Sequence, residues 1–155
     1  MANRAELKRA LVAAAEAALA SARAAHAAAV EGATHSESRA ENDKDTRGLE
    51  QSYLARGHAA RVEELEAALV TLAALPLGSP AATIGLGAVV TVDDDGARAR
   101  YYLASWGGGV TVGGDVAVVT PQAPIGRALL GRGRGDVVEI RRPGGVREVE
   151  IVAID

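Results

Sequence analysis

Val62, Leu65, Leu69 and Leu72 recur at spacings of three, four and three. No other stretch constrains the chain as strongly. That rhythm puts all four side chains on one stripe of an α-helix, the a/d pattern of a coiled coil, and an apolar stripe of this kind needs a partner helix. Glu63, Glu64 and Glu66 fall on the outer face. The helical pattern covers roughly 43–75 and stops at Pro76, which is followed by Gly78 and Pro80. Gly48 and Gly57 lie inside it and disfavour the helix by about 1 kcal/mol each relative to Ala, so irregular turns are expected there.

The partner is found upstream. From residue 4 to about 30 the sequence is rich in Ala, Leu, Glu, Lys and Arg, the strongest helix formers. Leu7, Leu11, Ala14 or Ala15, Ala18 and Leu19 make a narrow apolar stripe on it, and small alanines let a second helix come close. Glu31, Gly32, Ala33 and Thr34 are expected to interrupt this helix, and the run from Thr34 to Ser38 is polar, with Ser36 and Ser38 read as caps rather than nucleophiles. Two helices of about 30 residues, each rising about 45 Å, predict an antiparallel hairpin whose turn lies near Arg39. Self-association into a three-helix bundle is the alternative.

Beside that turn stands an acidic knot, Arg39-Ala40-Glu41-Asn42-Asp43-Lys44-Asp45-Thr46-Arg47. Asp43, Asp45 and Gly48 follow the start of a calcium-binding loop, but Arg47 takes its fifth position and Leu54 stands where its bidentate Glu belongs, so a self-sufficient calcium site is not expected. Glu41, Asp43 and Asp45 are also the acids that complement a helix N-terminus, with Asn42 or Asp43 as cap. Both readings are open, and they are compatible.

Beyond Pro80 the texture turns to β. Residues 88–92 read as a strand, Asp94, Asp95 and Gly96 as a hairpin turn, and 98–103 as the return strand. Strands are expected at 110–112, 116–120, 136–141 and 147–154, with Pro143, Gly144 and Gly145 turning the last pair. Residues 124–131 form one short helix, with Pro near its start and Gly at its end. The expected class is α+β: an antiparallel helical hairpin over 1–76, with its tip near 39–47, and an antiparallel sheet of five or six strands with one helix over 80–155.

Composition removes several functions. The chain of 155 residues has no Cys and no Phe, which excludes disulfides, thiolate metal sites and a large aromatic core. Its net charge is −3, with nine basic residues before Pro76 and eight after, so charge gives no reason to expect DNA binding. The N-terminal alanines are broken by Glu16, Arg23 and His26, unlike a secretory signal, and no stretch suits a bilayer; a cytoplasmic protein is expected. His26, His35 and His58 have no metal-ligand neighbour at helical spacing. The glycines at 107–109 and at 131, 133 and 135 read as turns, because neither set leads into a phosphate-binding motif.

The run Pro124-Ile125-Gly126-Arg127-Ala128-Leu129-Leu130-Gly131, then Gly135-Asp136-Val137-Val138-Glu139 and Pro143-Gly144-Gly145-Val146-Arg147-Glu148-Val149-Glu150-Ile151, closely resembles bacterial Gre-type transcript-cleavage factors. The match extends over roughly 80–155. Arg61-Val62-Glu63-Glu64-Leu65-Glu66 resembles a segment of that family's coiled coil. The resemblance implies a coiled-coil finger joined to an FKBP-like domain. It also implies docking at the rim of the secondary channel of RNA polymerase, with the finger inserted toward the active centre. Gln122, Ala123, Pro124 and Ile125 match the family's polymerase-contacting turn, with Ala123 in place of its Ser. Of the family's acidic tip pair, gap-free counting from Arg61 sets Glu41 at the Asp and Lys44 at the Glu. Asp43 and Asp45 flank the second position.

By this resemblance the chain is an accessory factor and not itself an enzyme. It holds no cofactor of its own. Glu41, Asp43 and Asp45 would share a Mg²⁺ with the polymerase near the RNA 3′ end and promote cleavage of backtracked RNA. A monomer with no membrane partner is expected. Two alternatives stand beside this reading: a channel-occupying regulator that inhibits without cleavage, motivated by the altered tip, and an FKBP-like prolyl isomerase, for which the aromatic residues are limited to Tyr101, Tyr102 and Trp106.

Overall fold

The computed structural model describes residues 3–39, 46–77 and 82–155, and the side chains among them except those of 35–39, 46–48 and 51. Two helices open the chain, α1 (Arg4–Arg39) and α2 (Thr46–Ala73). Asn3 starts α1 with a reciprocal cap: its Oδ1 accepts the Glu6 N–H at 2.9 Å, and Glu6 Oε2 accepts the Asn3 N–H at 3.0 Å. Helix α1 outruns its expected end by nine residues. Gly32 does not break it, and Ala33 is buried. A lone glycine disfavours a helix by only about 1 kcal/mol, which burial of Ala33 helps to offset. Helix α2 likewise continues through Gly57 without a break.

The chain divides into two compact units, Met1–Ala13 with Thr71–Asp155, and Ala14–Val70. In the second unit the helices run antiparallel, with Arg23 and Glu66 paired at 3.2 Å. Ala15, Leu19, Ala22 and Leu65 are buried, whereas Val62 and Leu69 are half-buried, so the seam is present but unequal. The turn expected near Arg39 borders residues 40–45, which lie outside the described residues. In the first unit Lys8 Nζ donates to the carbonyls of Ala73 and Leu75 at 2.7 and 2.9 Å. Those two hydrogen bonds satisfy carbonyls that a helix C-terminus leaves without intrahelical partners.

The sheet of the first unit has six strands: β1 (Val89–Asp94), β2 (Ala97–Leu103), β3 (Thr111–Val112), β4 (Val116–Val119), β5 (Val137–Arg142) and β6 (Gly145–Ile154). Their order is β3-β4-β2-β1-β6-β5. Four neighbouring pairs are antiparallel as expected, but β2 and β4 are parallel. The short β3 hairpin reverses the chain between them, and a mixed sheet results. The Asp95-Gly96 turn has both residues at positive φ, 52° and 90°, the mirror-image turn whose twist suits a hairpin, and Asp93 Oδ1 accepts the Gly96 N–H at 2.7 Å.

One face of the sheet holds the main core, where Val90, Val92, Tyr101, Leu103, Ile140 and Ile151 pack with Leu129 of α3 (Pro124–Leu129). On the other, Tyr102 and Val118 point away from that core. The foot of α1 belongs to this unit, and its Leu7 and Leu11 are fully buried. A methyl of Leu11 sits so close to Gly107 that a Cβ there would lie 2.6 Å from it. Gly107 thus combines a positive φ of 95° with a close approach, and only glycine meets both conditions. Among the described residues, no helix is long and apolar enough to cross a membrane.

Candidate functional site

The turn before α3 is built by backbone hydrogen bonds. Thr120 O accepts the Ala123 N–H at 3.1 Å, and Ala123 O accepts the Arg127 N–H at 2.9 Å. Ala123 occupies the cap position in an extended conformation, φ −72° and ψ 151°, without a side-chain cap. Pro124 follows at the first helical position, where its fixed φ suits the helix and its missing N–H goes unneeded. Arg127 completes the turn, its Nε–H donating to Gln122 O at 3.0 Å.

Two residues that sequence reasoning passed over hold this turn in place. One is Arg127. The other is Gly126, where a Cβ would fall on the carbonyl of Thr120 and lie 3.3 Å from Pro121 Cα. Gly126 is buried, and its missing side chain lets the Thr120-Pro121 backbone close onto α3. A signal was available: a glycine inside a six-residue helix lowers helix propensity and usually has a packing reason.

The four expected contact residues divide into two kinds. Gln122 and Pro124 are exposed and Ala123 is half-buried, so this edge is available to a partner. Ile125 is half-buried against the main core, which makes it as much a structural residue as a surface one. Leu130, just past the helix, is 43% exposed and adds apolar surface.

Glu41, Asp43 and Asp45 lie outside the described residues, in the link between Arg39 and Thr46. Among the described residues no group of His, Asp and Glu side chains could hold a metal ion. His26 and His58 are half-buried on their helices. The expected glycine turns are present, with positive φ at Gly107, Gly109, Gly131 and Gly135. Tyr101 and Tyr102 are buried on opposite faces of the sheet, which removes both from any open aromatic cleft of the kind a prolyl isomerase needs.

Tyr102 is fully buried, and among the described residues its hydroxyl has no hydrogen-bond partner. Burial raises its pKa above the ordinary value of 10.0, and the positive charge of Arg4 partly opposes that shift. The hydroxyl is therefore neutral at any physiological pH and supplies no acid or base.

Comparison with known proteins adds four findings. The family model described as Transcription elongation factor, GreA/GreB, C-term matches residues 79–155. A transcription elongation factor GreA from Cereibacter sphaeroides is 30% identical over 95 residues, which are 61% of this chain and 62% of that protein, so the chain spans less than two thirds of that relative. The transcription inhibitor protein Gfh1 of Thermus thermophilus is 34% identical over 116 residues, 73% of each chain. Among solved structures, GreA factor homolog 1 (Gfh1) of Thermus thermophilus is 26% identical and covers 93% of this chain and 94% of its own, with a TM-score of 0.42.

Proposed function

Since the chain belongs to the GreA/GreB family of transcription elongation factors, which includes Gfh1-like homologues, we propose that it docks on RNA polymerase and stimulates cleavage of backtracked RNA. The docking edge is the turn of Gln122, Ala123, Pro124 and Ile125 at the rim of the secondary channel. The observation that carries this is the exposure of Gln122 and Pro124 on a turn held by Arg127 and Gly126. An edge fixed in advance loses little entropy on binding.

In this reading the link between α1 and α2 is the tip of a finger that would enter the channel. Glu41, Asp43 and Asp45 are hard oxygen donors, the kind Mg²⁺ takes one or two at a time while keeping waters. A Mg²⁺ shared with the polymerase would supply charge neutralisation for the in-line displacement at the RNA phosphodiester. The chain's own part is to lend carboxylate oxygens and to orient a water near the RNA 3′ end. The factor is accessory: the nuclease is the polymerase, and this chain acts as a cytoplasmic monomer with no metal of its own.

A second reading is supported by a specific observation. The Gfh1 relative, an inhibitor of transcription, aligns over 73% of this chain, and gap-free counting retains only Glu41 of the family's acidic pair. Under that reading the finger occupies the channel without promoting cleavage. Purified chain added to backtracked complexes of its own polymerase separates the two. Shortened RNA products at rising Mg²⁺ establish the stimulator; slowed elongation with no cleavage at any Mg²⁺ level establishes the inhibitor.

A further inference from the structure

We propose that the sheet face opposite α3 carries a second docking groove, one that takes an acidic protein segment. The groove has a volume of about 550 Å³ and crosses the sheet from the start of β4 to the end of β6, with Thr91, Val152 and Ala153 along it. Thr91 pairs with Arg100 in register, and both lie on the side away from Val90 and Val92 of the main core. Three guanidinium groups from two separate elements line it: Arg98 and Arg100 from β2, and Arg134 from the loop before β5.

The arginines are held differently. The Arg100 side chain is 13% exposed and uses one N–H on Asp115 at 3.3 Å, which leaves most of its five donors free. Arg98 is exposed and pairs loosely with Asp93 at 3.6 Å. Arg134 is exposed and has no ion-pair partner among the described residues. Its loop is nevertheless well fixed. Asp136 Oδ2 accepts the Gly133 N–H at 2.8 Å, Ile151 O accepts the Gly135 N–H at 2.7 Å, and Asp136 O accepts the Ile151 N–H at 2.9 Å. The run of alternating glycine and arginine is thus a rigid arm that delivers Arg134 beside β6.

Arg100 on β2 and Arg134 on the β5 side of β6 are three strand positions apart, roughly 14 Å at the usual strand spacing. Two carboxylates four residues apart on an extended segment stand on one face and span about 13 Å. Guanidinium forks match carboxylates two bonds at a time. A nucleic-acid strand fits less well. Such sites stack bases on aromatic side chains along a positive track, whereas no aromatic residue lines this groove.

The test is fluorescence anisotropy on the full chain. The probe is a labelled peptide with Glu at every fourth position and Thr between, and the controls are its Gln counterpart and a labelled oligouridine. The Glu peptide should bind, weaken with added salt, and lose about tenfold or more in affinity in both Arg134→Ala and Arg100→Gln. Arg134 is on the surface, so its variant keeps the fold even if Arg100→Gln does not. Pro124→Asp should leave this binding unchanged, which separates the groove from the polymerase-docking turn. Equal behaviour of Glu and Gln peptides, an unaffected Arg134→Ala, or tighter binding of oligouridine through the same arginines would overturn the proposal.

Discussion

Arg127 reaches back across the first turn of α3 and donates its Nε–H to the carbonyl of Gln122 at 3.0 Å. The helix therefore holds the turn that leads into it, and two substitutions separate contact from presentation. Pro124→Asp puts an acid at an exposed helix N-terminus, which the fold tolerates, but it places an unpaired charge against an apolar partner. Affinity for polymerase should fall about tenfold or more in a competition assay. Arg127→Ala should weaken binding less, through a looser turn. Unchanged affinity in both would put the docking site elsewhere.

Gly126→Ala offers a sign to check. Helix propensity alone predicts a gain of about 1 kcal/mol. The structure predicts the reverse, because the new methyl meets the Thr120 carbonyl and Pro121 backbone, and overpacking of this kind costs about 1–3 kcal/mol. A lowered melting temperature is expected, and a raised one would show that the turn is free to move.

In the hairpin, Leu65 is 1% exposed while Leu69 is only half-buried. Leu65→Asp should cost more than about 3 kcal/mol, and Leu69→Asp distinctly less. Helicity followed by circular dichroism during denaturation ranks them. Equal losses would mean that the two seam positions are packed alike.

Tyr102→Phe removes a buried hydroxyl that has no partner among the described residues, so stability at neutral pH should be unchanged or slightly raised. The alkaline limb carries a second signature. The folded-state pKa of Tyr102 lies above its unfolded value of 10.0, so above about pH 10 the unfolded chain gives up its proton first. Stability then falls as pH rises through that window. The Phe variant should lose this part of the alkaline decline, and identical pH profiles would place Tyr102 in a wetter environment.

For the acidic link, Glu41→Gln, Asp43→Asn and Asp45→Asn together should abolish stimulated cleavage with little change in polymerase binding, because under the proposed function docking would arise from the α3 turn and the carboxylates would act on the transition state. Higher Mg²⁺ should partly rescue single variants whose defect is weakened metal affinity. A triple variant that cleaves as well as wild type would reduce the knot to a helix start.

Periodicity and turn chemistry are local, and they were legible. The stripe from Val62 to Leu72 announced a paired helix, the prolines at 76 and 80 announced its end, and Asp95-Gly96 announced the first hairpin. These features depend on neighbours three, four or two residues away, and no distant part of the chain is needed to read them. The motif around Pro124 likewise led to the family, which the comparisons bear out.

Quantities set by distant partners were not legible. Which residues of the two helices meet depends on packing, and the pairing of Arg23 with Glu66 cannot be read from either helix alone. Helix α1 outlasts Gly32 because burial of Ala33 adds to a sum that propensity alone underestimates. The parallel pairing of β2 with β4 follows from the packing of the whole sheet, since either direction satisfies the same alternation of side chains. The packing reason for Gly126 exists only where the Thr120 carbonyl closes over it, and Arg134 shares a groove with Arg98 and Arg100 of β2 only because the sheet brings these distant segments together. In each case sequence determined the element, by local sterics and hydrogen bonding, while long-range packing alone decided what that element faces.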